Sequence, residues 1–274
     1  MIDVDAAVRR LIEARSGPRL ALGEVEPADL DEVYALQEAT VAALGGCAGW
    51  KVGATSPTAP ATFAPLPRVG IRSAGEPWVA GAGPVAVEVE IAFRVARAID
   101  AALADRLDEP AARDEAFDAV MVAVEIVETR LADWTFASLL AKAGDLLSHG
   151  ALILGAPRPL GALAIDPASA TVRLDIDGSA AIATTAGNPA GDPLRLLRPL
   201  ARHCVDRRHP LQPGQIVTTG SFTGMTEVAP PVGFTATIDH FGALRGRIAA
   251  PRARPAIEPD PSMPGGAPTT ERPI

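Results

Sequence analysis

Between residues 85 and 95 the chain alternates without a break. Val85, Val87, Val89, Ile91, Phe93 and Val95 occupy the odd positions, and Ala86, Glu88, Glu90, Ala92 and Arg94 the even ones. A period of two is that of an extended strand, with one face apolar and the other carrying two acids. Residues two apart on a strand project from one face, roughly 7 Å apart along the chain. Carboxylates placed so repel one another and are unfavourable strand residues. A divalent cation would remove that repulsion. The alternative is a half-buried strand whose polar face meets water, and the spacing does not decide between them.

Glu125 is the third acid of interest. It interrupts the apolar run Val120 to Val127. If that run is a strand, a lone carboxylate inside it must be paired or metal-bound, because burying an uncompensated charge is expensive. Asp114, Asp118, Glu125 and Thr129 also fall near one face of a helix. The density of β-branched residues favours the strand.

Elsewhere the pattern is mixed. Apolar residues at helical spacing mark Val4 to Ala14, and a second helix follows Pro27 and stops at Gly45-Gly46. From Trp50 to Pro84, glycine, proline and alanine dominate, which reads as loop-rich chain. Helices are expected around Ala111 to Ala119, over Leu139 to Leu147 and over Pro193 to Cys204. Gly150 to Gly155 is expected as a short buried strand. The last third reads as β-rich, with a hairpin at Asp177-Gly178 and strands at Gln215 to Gly220 and Thr235 to Asp239. The division expected is a single unit over residues 1–250, helical to 48 and β-rich from 49. A proline-rich tail at 251–274 is too poor in large apolar residues to order itself.

The net charge of −8 argues against a nucleic-acid partner, which needs a clustered basic face. Cys47 and Cys204 have neither zinc-site nor disulfide spacing. No apolar run approaches the ~20 residues that span a bilayer, and the N-terminus lacks the order of a signal peptide. The expectation is a cytoplasmic protein with no membrane partner. Lys51 lies in Gly49-Trp-Lys-Val-Gly, where the glycines would let backbone approach a ligand. His149, His203, His209 and His240 have no ligand spacing and read as structural.

Six stretches in order then carry a resemblance. They are Gly49-Trp-Lys-Val-Gly-Ala-Thr-Ser, Val87-Glu-Val-Glu-Ile-Ala-Phe, Val124-Glu-Ile-Val-Glu-Thr-Arg, Ala143-Gly-Asp-Leu-Leu-Ser-His-Gly, Gly187-Asn-Pro and Leu211-Gln-Pro-Gly-Gln-Ile-Val-Thr-Thr-Gly-Ser-Phe-Thr. Together they resemble the fumarylacetoacetate hydrolase superfamily, in its branch of 2-keto-4-pentenoate hydratases and 4-oxalocrotonate decarboxylases. The likeness runs from about Ala6 to Ile248.

The resemblance implies an α+β fold, a mixed β-roll or sandwich with flanking helices and an N-terminal helical segment. It aligns Glu88, Glu90 and Glu125 with three carboxylate ligands for Mg²⁺ or Mn²⁺, an all-oxygen set suited to a hard cation. Lys51 aligns with an active-site lysine, and Gly53, Ala54, Ser221 and Thr223 with substrate-lining positions. The implied partner is a small 2-oxo acid (a 2-hydroxy-2,4-dienoate), handled as an enolate by a lyase, hydratase-like with decarboxylase as the alternative. A homo-oligomer is also implied, with a complex with a sister enzyme as a further option; a non-catalytic partner subunit that keeps the fold is the competing reading, against which intact Glu88, Glu90, Glu125 and Lys51 speak. One departure stands out. Hydratases carry an acid shortly after Asp-Tyr-Gly, and here the stretch is Arg68-Val-Gly-Ile-Arg-Ser-Ala-Gly-Glu. The acid's position falls at Ala74, and Glu76, two residues on, is the candidate replacement.

Overall fold

The computed structural model describes residues 2–81, 83–160 and 166–251, so the proline-rich tail lies outside the described residues apart from Pro251. Two helices open the chain, α1 (Val4–Glu13) and α2 (Leu30–Ala43), each capped by an aspartate side chain, Asp3 and Asp29. Then come β1 (Cys47–Gly53), β2 (Thr62–Pro67), β3 (Ile71–Ser73), β4 (Trp78–Val79) and β5 (Val85–Val95). Short helices α3 (Ala101–Asp105) and α4 (Pro110–Ala116) lead into β6 (Phe117–Glu128), followed by α5 (Leu139–Gly144), β7 (His149–Leu154) and β8 (Arg158–Pro159). The rest is β9 (Thr171–Ile176), β10 (Ser179–Thr185), α6 (Leu197–Asp206), β11 (Ile216–Ser221), β12 (Thr226–Val228), β13 (Val232–Ile238) and β14 (Gly242–Ala249).

The larger sheet runs β2-β1-β11-β5-β6-β7-β3, with β12 also on β5 and β8 on β6; the smaller runs β10-β9-β13-β14-β4. The odd face of β5 is wholly buried. Val87, Val89, Ile91 and Phe93 pack in one cluster with Val172, Leu174, Ala236 and Ile238 of the smaller sheet and with Leu200 and Cys204 of α6. That burial explains the alternation: large apolar residues fill the odd face, while the even face offers the core only Ala86 and Ala92 beside its acids. The even face, carrying the acids, is the face left for a site. This is the α+β arrangement that the resemblance implied.

Several expectations change. The stretch from Trp50 to Pro84 holds β2, β3, β4 and most of β1 rather than continuous loop. β2 contains Pro65 and Pro67, which obscured it, and it is tolerated because β2 ends the sheet order, where a missing donor breaks no second ladder. The helix expected to Ala119 stops at Ala116, and Phe117 already belongs to β6. β6 is a strand through Glu125, which settles the helix alternative. Finally, β14 lies between β13 and β4 in the smaller sheet where no strand was expected, because its polar residues alternate with small ones.

Candidate metal centre

Five strands of the larger sheet, β1, β5, β6, β7 and β11, supply the site. β5 and β6 are antiparallel with Glu88 opposite Glu125 and Glu90 opposite Ala123, so all three acids share a face. One oxygen from each of Glu88, Glu90 and Glu125 lies within 4.8 Å of the others. Glu90 and Glu125 are 1% exposed, and Oε2 of Glu90 is buried with no protein partner.

Lys51 comes from β1, paired with Thr218 of β11. Its neighbours Trp50 and Val52 are buried in the core, which leaves Lys51 on the acid face. Nζ lies 2.6 and 2.5 Å from the two oxygens of Glu125 and 3.4 Å from the carbonyl of Leu147. Gly49 does make room for backbone, but for that of β11: a Cβ there would collide with the carbonyl oxygen of Ile216. The ligand role expected of Gly49 is thus a strand-packing role.

Register then shifts on β11 between Thr218 and Ser221. Gly220, at φ +83°, makes this bulge in a conformation that suits glycine. The side-chain amide of Asn188 clamps it, donating to the carbonyls of Thr219 (2.9 Å) and Gly220 (3.2 Å). The shift brings Ser221 opposite Glu90, and the Ser221 hydroxyl hydrogen-bonds Glu88. Thr218 hydrogen-bonds Glu90. Thr223 accepts from the Val89 amide at 3.1 Å and donates to the Gly224 carbonyl at 3.1 Å, pinning the loop to β5. Gly53 abuts the bulge, and Ala54 packs against the core.

His149, read from the sequence as structural, joins the site. Its Nδ1 is 2.8 Å from Glu125 Oε1 and the ring is fully buried. Burial pushes the imidazole down to about 4, against the pull of Glu125. A neutral imidazole facing a carboxylate carries its proton on Nδ1, so His149 donates and orients Glu125. It reaches this place through an unusual turn. Leu146, Leu147 and Ser148 all have positive φ (50°, 50° and 62°), a strained run for non-glycine residues. α5 therefore ends at Gly144, short of the helix expected to Leu147. A buried ion pair holds the turn: Arg130 Nε lies 2.5 Å from Asp145 Oδ1, and Arg130 also donates to the His149 carbonyl at 2.8 Å.

Burial and mutual repulsion act on the acids. Burial first, then the charge of Glu125, pushes Glu88 up to about 7 and Glu90 up to about 8. Glu125 is also pushed up by burial, but Lys51 and His149 outweigh that and hold it below its ordinary value. Burial pulls Lys51 down, and the three glutamates outweigh it and hold the ammonium above its ordinary value. One cation faces three carboxylates. The excess negative charge, the all-oxygen donors and the unpartnered Glu90 oxygen suit a hard divalent cation.

Glu76 is placed differently. It is exposed in the turn between β3 and β4, where its amide bonds the Ser73 carbonyl, and among the described residues it makes no hydrogen bond to the acid cluster.

Among solved structures, the chain superposes on 4-oxalocrotonate decarboxylase from Pseudomonas putida G7, complexed with magnesium and adipate. The TM-score is 0.73 over 89% of this chain and 96% of that one, at 17% identity. The chain has the fumarylacetoacetate hydrolase fold. A second neighbour of this fold, fumarylpyruvate hydrolase from Pseudomonas aeruginosa in complex with Mn²⁺ and pyruvate, gives a TM-score of 0.53 at 18% identity, covering 73% of this chain and 88% of that one. By sequence, the chain is 30% identical over 162 residues to the 2-keto-4-pentenoate hydratase of Paraburkholderia xenovorans, covering 58% of this chain and 57% of that protein. A 2-keto-4-pentenoate hydratase 3 of Pseudomonas putida matches to the same extent. The match thus spans just over half the length of these curated relatives. No family model matches the chain. These likenesses support the hydratase and decarboxylase branch of this fold. Among the described residues no helix is long and apolar enough to cross a membrane.

Proposed function

We propose that this protein is a divalent-metal-dependent lyase that acts on a small 2-oxo acid through an enolate, most simply as a hydratase of a 2-hydroxy-2,4-dienoate. The observation that carries the reading is the convergence of Glu88, Glu90 and Glu125 on one point, with the Lys51 ammonium from β1 bonded to Glu125. Those three glutamates would hold Mg²⁺ or Mn²⁺. When bound, such an ion supplies Lewis-acid polarisation of the keto acid's oxygens.

The chain's own residues do the rest. Lys51, kept charged by the glutamates, places an ammonium where negative charge grows as the substrate becomes an enolate. His149 fixes the angle of Glu125 through Nδ1, as partners behind a metal ligand do. Ser221 and Thr218 hold Glu88 and Glu90 in place, and Gly53 abuts the bulge that carries Ser221. Buried surroundings exclude water from the acids and strengthen each of these interactions. The hydratase reading draws on the curated relatives' names. A decarboxylase of 2-oxo-enedioates is the second reading, favoured by Ala74 standing where hydratases carry an acid.

Turnover of 2-hydroxypenta-2,4-dienoate by the purified chain, with and without Mg²⁺, tests the proposal. Metal-dependent hydration is the expected result. No turnover of this dienoate or of a 2-oxo-enedioate with either Mg²⁺ or Mn²⁺ would overturn it.

A further inference from the structure

A cavity of about 360 Å³ opens where the start of β5 and the end of β6 lie side by side. Ala86 and Val127, which line it, are cross-strand partners two pairs beyond Glu88 and Glu125 and so lie on the same face, roughly 7 Å along the strands. Its inner end includes Ser148, whose hydroxyl is buried without a protein partner and whose neighbour Leu147 offers its carbonyl to Lys51. A 2-oxo acid seated at the glutamates would therefore extend its far end into this cavity.

The lining distinguishes between far ends. Val85, Ala86, Val127 and Trp134 form apolar wall, and Phe136 (82% exposed) and Met225 (50% exposed) stand at the rim. Large apolar side chains left in solvent around a cavity are surface that an apolar ligand would cover. Charge points the same way. Asp133 and Glu227 also line the cavity, against the single cation Arg19, whose Nη1 is occupied by the carbonyls of Leu131 (3.2 Å) and Ala132 (3.0 Å). A second carboxylate on the substrate would be desolvated against apolar wall and would face two acids.

We infer that the cavity is the pocket for the substrate's far end and that it selects an uncharged alkyl tail over a terminal carboxylate. The inference rests on the proposed function and deepens it: a monocarboxylic dienoate fits, and a 2-oxo-enedioate does not.

Calorimetric titration of the Mg²⁺-loaded protein with pyruvate, 2-oxohexanoate and 2-oxohexanedioate tests both levels. The last two differ only at the tail's end. A buried methylene is worth about fourfold in affinity, so 2-oxohexanoate should bind more than about tenfold tighter than pyruvate, and 2-oxohexanedioate should lose most of that gain. The double variant Asp133→Asn/Glu227→Gln should raise affinity for 2-oxohexanedioate several-fold and leave pyruvate unchanged. Phe136→Ser, at an exposed position where the fold is not at stake, should weaken 2-oxohexanoate alone. If 2-oxohexanoate binds no tighter than pyruvate, the inference is wrong while the proposed site stands. If 2-oxohexanedioate binds tighter than 2-oxohexanoate and Arg19→Gln abolishes the preference, the pocket selects the opposite class. Absence of Mg²⁺-dependent binding by all three overturns the proposed function and this inference with it.

Discussion

The ammonium of Lys51 sits between the two oxygens of Glu125, 2.6 Å from one and 2.5 Å from the other, with Glu125 almost wholly buried. In the metal-free chain this contact neutralises a carboxylate that could not otherwise be buried as an anion. In the proposed reaction the same ammonium would meet charge developing on the substrate. Stability and catalysis thus meet in one side chain, and they can be separated.

Lys51→Ala should lower kcat by roughly 10²–10³-fold, the usual effect of removing one electrostatic donor. It should also destabilise the metal-free protein by about 3–5 kcal/mol, because an unpaired buried carboxylate remains. Mg²⁺ should recover part of the lost melting temperature but none of the lost kcat. A variant as stable as wild type without metal would show that the ion pair is not what neutralises Glu125.

Glu90→Gln should separate metal binding from folding in the other direction. Glu90 is pushed up to about 8 by burial and then by Glu125, so a neutral amide replaces a largely protonated acid near pH 7 and relieves repulsion in the metal-free state above pH 8. The melting temperature without metal should hold or rise, and Mg²⁺ affinity by calorimetry should fall at least ~10-fold, the lower range even for partners behind a metal ligand. Unchanged affinity would remove Glu90 from the ligand set.

The pH dependence follows from the same acids. Glu88 and Glu90 keep protons in the folded chain up to about 7 and 8, against an ordinary 4.5. The folded state therefore binds more protons than the unfolded one in that window, and stability falls as pH rises through it. His149 acts oppositely: with a folded value of about 4 against 6.5, it removes stability as pH drops below 6.5. Between pH 6.5 and 8 the glutamates decide, so the metal-free melting temperature should fall with pH. Saturating Mg²⁺ should flatten the slope by replacing the protons. A metal-free profile that rises across this window would contradict the shared burial of the two acids.

Glu76→Gln tests the acid that the sequence nominated. An exposed carboxylate with no hydrogen bond to the cluster among the described residues should matter little, and turnover should change by less than about threefold. General acid–base catalysis is typically worth about 10²–10⁴-fold. A loss of that size would bring Glu76 into the mechanism and require the β3–β4 turn to move.

The sequence by itself determined the strand that carries the site. Val85–Val95 shows both of its faces in its alternation, because one face packs against apolar core and the other holds two acids. It also marked Glu125 and Lys51, as an acid in an apolar run and a lysine among glycines. What it could not show was who stands behind them. His149 reaches Glu125 only because three consecutive residues, none of them glycine, take positive φ after Gly144. No local preference favours that turn; Arg130 and Asp145, fifteen positions apart, hold it through a buried ion pair. Ser221 reaches the acids through the bulge at Gly220, clamped by Asn188 from thirty-two positions away. A side chain's own period and chemistry are written locally, and so they were legible. The conformations that aim His149 and Ser221 cost local energy that only distant contacts repay, and those contacts exist only once the sheet has closed.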